Sequence, residues 1–445
     1  MRESPAGIDP TVDCSHTIVT LSRARGHDAE QRGFDAIGAA WVPGADMRPD
    51  VAAVAVLSSA LVPHFGGALA SLAREVNRAR AMAVILVPWK EPPHHDTRYD
   101  GVVDSFLCDA ATFHVLQRRT PGCQPRDLCY ALLDAIINQH IDVDRIIVRQ
   151  LPHSEIRPVR RTGRPAGLIM AHRGRPRHLS AALRFIDRAD GAEDLSVRVG
   201  LDEADLVPYR SIQARCRHVR FHRVDPAPAG LFVVRQRLLE QTAEDLFYLQ
   251  DSDDVSCSDR FAAQADEFER TGCDVVGCHE LRIDEITRTV EAYRLPLDVQ
   301  DALGSGYSDS QLNGTILGSR RRVLGVGGYS THQRIANDTQ FMLRAYFSLA
   351  LRNVDGFYYL RRRHKASLTV APDTAQGTPL RERLRSTWAA DFDAVRAGTL
   401  TLDQSSLRPM HTTIDYAIDE WTRKAPTARA VRVAGSSPVS RVKSA

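Results

Sequence analysis

Between Gly167 and Gly277 the chain repeats one alternation of short β-rich runs and stretches with helical spacing. The runs are 167–171 (GLIMA), 196–201, 219–222, 246–249 (LFYL) and 274–277, separated by helical patterns at 178–188, 232–242 and 258–270. In the last of these, Phe261, Ala265 and Phe268 fall on one helical face and Ser258 is placed to cap it. Strands alternating with helices read as an α/β sheet with helices packed over it.

The chain has 445 residues, 43% hydrophobic and 25% charged, which excludes disorder over most of its length and leaves room for two or three domains. Its 58 basic and 55 acidic residues leave a formal charge of +3. The overall field is therefore weak, and nucleic acid is not an expected partner. Only four of the basic residues are lysines, Lys90, Lys365, Lys424 and Lys443. This bias fits a GC-rich coding sequence, or guanidinium forks set to receive a diphosphate. There is no apolar run of about 18 residues and no basic start leading into an apolar stretch, so neither a membrane span nor a secretory signal is expected. The eight cysteines are scattered without CxxC pairs, which points to reduced thiols and a cytoplasmic location.

A proline- and arginine-rich stretch at 151–165 reads as a linker. Before it, residues 1–150 form an expected N-terminal α/β accessory domain with a small parallel sheet. After it come a main domain (166–375), a helical C-terminal extension (376–424, with an amphipathic helix over 380–421) and a disordered basic tail (425–445). From Arg423 onward there are six basic and no acidic residues. Such an end is either solvated or in peripheral contact with anionic headgroups at the inner membrane face.

The run with most chemistry in it is 248–254, Tyr-Leu-Gln-Asp-Ser-Asp-Asp, where an apolar strand ends in three carboxylates. Ligands of open α/β sheets bind at the carboxyl ends of strands. Side chains two apart on an extended chain share a face, so Asp251 and Asp253 offer hard oxygen ligands for Mg²⁺ or Mn²⁺. A calcium loop would need glycine at its sixth position, where Ser256 stands. Taken alone, the run reads more readily as a solvated acidic turn capping the next helix.

Its companions resemble the family 2 glycosyltransferases, nucleotide-sugar enzymes of the GT-A fold, over roughly 166–370. The opening strand and loop at 168–179 (LIMAHRGRPRHL) is similar to the family's first motif but lacks its asparagine. Asp202 follows the second strand, where the family has an acid that reads base and ribose. The segment 230–239 (GLFVVRQRLL) is similar to the family's arginine-bearing helix, with Arg235 at the arginine and Gln236 in place of asparagine. Residues 249–254 match the DxDD run, and 313–328 (NGTILGSRRRVLGVGG) resembles the strand, arginine and Val-Gly-Gly segment. Asn337-Asp338 stands where the family carries Glu-Asp, and 358–369 (YYLRRRHKASLT) is similar to its closing motif.

The resemblance implies a Rossmann-like, doubly wound mixed sheet and metal-dependent, inverting sugar transfer from a nucleoside-diphosphate sugar. The acceptor hydroxyl, on a saccharide, lipid-linked molecule or protein, is left open. Asp251 and Asp253 would hold the ion, with Asp253 the stronger candidate. Asp338 would be the base, the alternative being a charge that simply suits a helix N-terminus. Asp202, Arg235, Asp251, Arg361, Arg363 and His364 would bind substrate. His172, Arg173 and Arg175 stand at the first strand's end within reach of the nucleotide or in a plain basic loop, and His94 and His95 read as surface.

Rival readings are a GT-A-like nucleotidyltransferase, disfavoured by the single glycine in 172–177, and a non-catalytic signalling protein with a degenerate transferase domain. The N-terminal strands are loosely similar to those of TIR domains. The stretch where that family's catalytic glutamate would follow has no acid, which implies an interaction module with a protein partner. An unrelated α/β domain is the alternative. The chain has no GxxxxGK phosphate loop, no GxSxG elbow and no HExxH.

Overall fold

The structure, a computed structural model, describes residues 16–23, 34–39, 51–58, 72, 76, 82–124, 127–151 and 164–422. Most of the helical pattern at 69–80, most of the expected linker (152–163) and the basic tail lie outside them.

The first sheet is built from β1 (His16–Arg23), β2 (Phe34–Ala39), β3 (Val51–Ser58), β4 (Met82–Pro88), β6 (Ser105–Asp109) and β7 (Arg145–Leu151), in the order β2-β1-β3-β6-β4-β7. Only β4 and β7 pair in parallel, and the other four neighbouring pairs are antiparallel. The small parallel sheet expected from the sequence is therefore corrected to a mixed, mainly antiparallel one. A parallel neighbour needs a long crossover. Here α1 (Ala110–Arg119) and α2 (Leu128–Ile137) lie on the path to β7, the strand that joins β4 in parallel, whereas β6 comes back beside β4 after the short strand β5 (Arg98–Val102).

The second sheet has eleven strands. It contains β8 (Ala166–His172), β9 (Leu195–Leu201), β10 (Arg220–Asp225), β11 (Leu246–Leu249), β12 (Val255–Ser256), β13 (Val275–Asp284), β14 (Thr289–Arg294), β15 (Leu317–Ser319), β16 (Leu351–Arg363) and β17 (Ala417–Glu420), and it also takes in β5. Its path is β12-β16-β13-β15-β11-β8-β9-β10-β17, with β14 on β13 and β5 on β14. The block β10-β9-β8-β11 is parallel, β15 runs antiparallel between β11 and β13, and β13 and β16 are again parallel. This is a mixed α/β sheet with helices packed over it, as expected. The chain steps outward from β8 through β9 to β10 and then returns to the other side of β8 as β11. That reversal leaves a crevice at the carboxyl ends of β8 and β11.

Helices α3 (Pro176–Asp187), α4 (Leu231–Gln241) and α5 (Arg260–Thr271) cover the parallel block. Leu179, Ala182 and Leu183 of α3 and Phe261, Ala265 and Phe268 of α5 enter one core with Leu168, Met170 and Val199 of the strands. Each large apolar side chain so buried is worth about 1.5–3 kcal/mol. Pro176 opens α3 and left-handed Gly272 closes α5. Ser258 is not the cap of α5. Asp259 holds that place without a side-chain bond, and the Ser258 hydroxyl accepts the Ile146 N–H of β7 at 3.1 Å. Beyond α6 (Asn337–Ala345), the C-terminal amphipathic helix is shorter than expected. It is α7 (Pro379–Arg396), ended near left-handed Gly398, after which the chain runs through turns to β17 on the edge strand β10. Among the described residues no helix is long and apolar enough to cross a membrane.

The two sheets share one core. Val54, Ile85, Phe106 and Ile146 of the first pack in the same cluster as Val255, Cys257, Leu281 and Phe357 of the second. Arg294 pins the junction. Its guanidinium, fully buried, pairs with Asp100 of β5, bonds the Gln150 carbonyl oxygen of the side-chain amide, and donates to Pro88 O at 2.8 Å. Asp100 also holds Arg98 at 2.7 Å, so its charge stays paired when Arg294 is removed, whereas Gln150 Oε1 and Pro88 O lose their buried donor, at about 1–3 kcal/mol for each group left unsatisfied. Arg294→Met should therefore lower the urea midpoint, and adding Asp100→Asn, which takes the partner from Arg98 as well, should not recover the loss.

Candidate active site

The crevice is a cleft of about 530 Å³ whose walls include His172, Asp202, Arg235, residues 251–254, Asn313, Asp338, Arg361, Arg362 and His364. Of the site residues expected from the sequence, Asp202, Arg235, Asp251, Asp253, Asp338, Arg361 and His364 all line it, and Arg363 does not. Arg363 lies opposite Asp284 in the β13–β16 register and is captured by that buried carboxylate. Arg362, its neighbour, does line the cleft, with its guanidinium paired to Glu285.

Each strand end delivers one group. After β8, His172 accepts the backbone N–H of Asp202 on its carbonyl at 2.8 Å, and its Nδ1 lies 2.8 Å from Ser252 Oγ. After β9, the Asp202 carboxylate accepts the N–H groups of Ala229 and Gly230 at 2.6 and 2.8 Å, which fixes the entry of α4. That helix carries Arg235 inward to an ion pair with Asp251. Burial opposes the Arg235 charge, but Asp251 beside it holds the guanidinium protonated. Gln236, in place of the family's asparagine, accepts the Tyr329 N–H at 2.7 Å and lies against Gly328, whose φ of +59° and lack of a side chain make room for it.

The acidic run after β11 is a turn, where an extended chain was expected, and the Asp254 N–H donates to Asp251 O at 3.2 Å. Asp251 therefore faces Arg235, while Asp253 accepts from His364 Nε2 at 3.1 Å. Burial works against the Asp253 charge, but the hydrogen bond and charge of His364 hold its carboxyl below the usual range. Asp254 is different: burial and then the neighbouring Asp253 and Asp251 push its carboxyl well above that range, and it accepts the Arg362 N–H at 2.7 Å. Gly314 backs the turn, since a Cβ there would lie 2.7 Å from Asp251 Oδ2.

Under the turn lies Arg260, which is wholly buried. Its Nε bonds Gln264 at 2.9 Å, and Nη1 bonds Gln250 and Ser256 at 2.6 and 3.0 Å. Its Nη2 bonds the carbonyls of Leu249 and Gly314 at 2.7 and 3.3 Å. All five N–H donors are thereby used.

Opposite the acidic turn, Asp338 stands in the first turn of α6. The residue before the helix, Ala336, has φ +62°, a left-handed conformation costly for a residue with a Cβ. Asn337, in place of the family's acid, is buried and its amide donates to Gln333 O at 2.7 Å, so it braces this bend. On β16, burial opposes the Arg361 charge, but Glu280, Asp254 and Asp251 hold it protonated.

Sequence reasoning missed His178, Arg334 and Arg381 on the cleft wall. His178 was legible as the first turn of the helix after β8. Arg334 and Arg381 come from a loop and a distant helix with no local signature. His94 and His95 are exposed, as expected. Among the described residues no group of three His, Cys, Asp or Glu side chains is arranged to hold a metal ion. The hard oxygen donors in the cleft are the carboxylates of the turn, Asp251 paired with Arg235 and Asp253 with His364. Such a donor set suits Mg²⁺ or Mn²⁺, which complete their shells with water and phosphate.

No protein-family model matches the chain, and no curated protein matches it. Among solved structures, the chain is similar to residues 1–349 of S. aureus TarS, with 13% identity over 54% of this chain and 74% of that one, at a TM-score of 0.38. It is likewise similar to the same fragment in complex with UDP-GlcNAc (12% identity over 54% and 77%, TM-score 0.39) and with UDP (14% over 53% and 72%, TM-score 0.39). Likeness this distant carries no inference about what the present cleft binds.

Burial, then the positive neighbours Arg362 and His364, lowers the His178 imidazole to about 3. Between pH 3 and 6.5 the unfolded chain thus binds a proton here that the folded chain refuses, so stability is lost as pH falls through that window. His178→Met should remove this component. Relative to wild type, the variant should gain up to ~1.4 kcal/mol per pH unit on acidification below 6.5, read as converging urea midpoints.

Proposed function

We propose that this protein is a glycosyltransferase that takes its sugar from a nucleoside-diphosphate donor. The observation behind this reading is the convergence of Asp202, Arg235, Asp251, Asp253, Asp338, Arg361 and His364, from separate elements, on one cleft at the sheet's reversal point. The cleft sets carboxylates beside cations: Arg173 and Arg175 also line it, as do Arg334, Arg362 and Arg381, which are bonded to Asp373, Glu285 and the Thr374 carbonyl. Carboxylates beside guanidinium groups suit a metal ion together with a ligand carrying negative charge.

In this reading Asp253, with Asp251 beside it, holds Mg²⁺ or Mn²⁺, which when bound neutralises charge developing on the leaving diphosphate. Arg361 and His364 take up the rest of that charge from fixed positions. Asp338 accepts the proton of the acceptor hydroxyl as its oxygen bonds to the anomeric carbon. The bond from that carbon to the diphosphate breaks on the opposite face, with inversion, and the diphosphate leaves with the bonding pair. Arg235 is a positioning residue that keeps Asp251 in place. Gln236 and Asn337, the departures from the family pattern, both make bonds that shape the cleft, which supports a working site over a degenerate one.

Titration with a panel of nucleotide sugars, with and without Mn²⁺, tests the reading. Binding should require the metal and should fall by an order of magnitude or more in Asp253→Ala. Asp338→Asn should keep donor binding but lose about 10²–10⁴-fold in kcat, the usual worth of a general base. Product stereochemistry by NMR checks inversion. Metal-independent binding, or an Asp253→Ala variant that binds as wild type does, would overturn the proposal.

A further inference from the structure

The segment that leaves the acidic turn is held by the N-terminal sheet. Ser258, four residues beyond Asp254, donates its N–H to Ile146 O at 2.8 Å and accepts the Ile146 N–H on its hydroxyl at 3.1 Å. One residue on, the Asp259 carboxylate takes Arg149 Nη1 at 2.6 Å, in a pair whose side chains are 16% and 9% exposed. Val255 and Cys257 lie in the core that contains Val54, Ile85 and Ile146. Arg260, from within the main domain, holds both flanks of the turn, Leu249 and Gln250 before it and Ser256 after it. Asp259 caps α5 without a side-chain bond to the helix, so its carboxylate is committed to β7.

We infer that the N-terminal sheet, through β7, positions the Asp251–Asp254 turn, and that its state sets the affinity of the cleft for the donor. Arg149 is then a positioning residue. Its bond and those of Ile146 fall at residues 258 and 259, and the short strand β12, paired with β16, lies between them and the acidic turn, so a shift of β7 reaches the turn through contiguous hydrogen-bonded backbone. The donor-affinity part rests on the transferase reading, and the positioning part does not.

The test uses the full chain and three variants. Arg149→Met keeps the stem and removes the charge, Arg149→Lys restores a cation, and Val224→Ala opens a cavity behind β10, outside the N-terminal sheet, as a control for general loss of stability. Amide hydrogen exchange over 250–259, without ligand, should quicken in Arg149→Met, return toward wild type in Arg149→Lys and stay unchanged in Val224→Ala. With UDP-sugar and Mn²⁺, the donor Kd of Arg149→Met should rise about tenfold while kcat changes less than about twofold. Unchanged exchange in Arg149→Met, or an equal increase in Val224→Ala, would overturn the inference. Wild-type protein that binds no nucleotide sugar would sink the transferase reading alone, because the exchange comparison stands without it.

Discussion

The cleft depends on a buried arginine that never touches it. Arg260 spends five N–H groups on the end of β11, the Gln250 side chain before the acidic turn, Ser256 after it, the loop carrying Gly314 and Gln264 of its own helix. A lysine has three donors on one atom and could not span these acceptors. Its partner Gln264 extends the same net to Val276 O and Thr315 O at 3.0 and 2.6 Å, and the Tyr359 ring lies over the guanidinium at 4.9 Å. With every donor matched, the desolvation cost of the charge is offset, and the turn has one arrangement that keeps all bonds.

The same device recurs. Arg344, also buried, bonds the carbonyls of Val326, Leu407 and Gly328, tying α6 with its Asp338 to the glycine turn and the C-terminal segment. Arg294 joins the two sheets. The shortage of lysine therefore has a structural side in addition to any coding bias, because three junctions of the fold are guanidinium forks. An expectation framed on solvent-facing diphosphate contacts looked for arginines at the surface, whereas these act in the interior.

How much could be read in advance follows from the range of the interactions. The strand 246–249 lies where its apolar run and abrupt polar end place it, because both signals are local. Seven site positions converge because the order of strand ends in an α/β sheet predetermines where they meet. Arg363 was misplaced because strand parity does not reveal a buried carboxylate, Asp284, waiting on the neighbouring strand. Ser258 has the right residue type and place for a cap, yet its hydroxyl is taken by β7, a competition between segments 112 residues apart. The N-terminal sheet was read as parallel from an alternation that holds only in its second half, and its shared core with the main sheet left no mark in either segment alone.

The last described strand has a consequence of its own. β17 pairs with β10 through residues 417–420 and covers what would otherwise be the outer margin of the main sheet. Without it, β10 would present a row of unpaired peptide groups ready to recruit another chain. The C-terminal segment thus works as a selvedge, a finished border that keeps the woven sheet from joining the next piece of cloth.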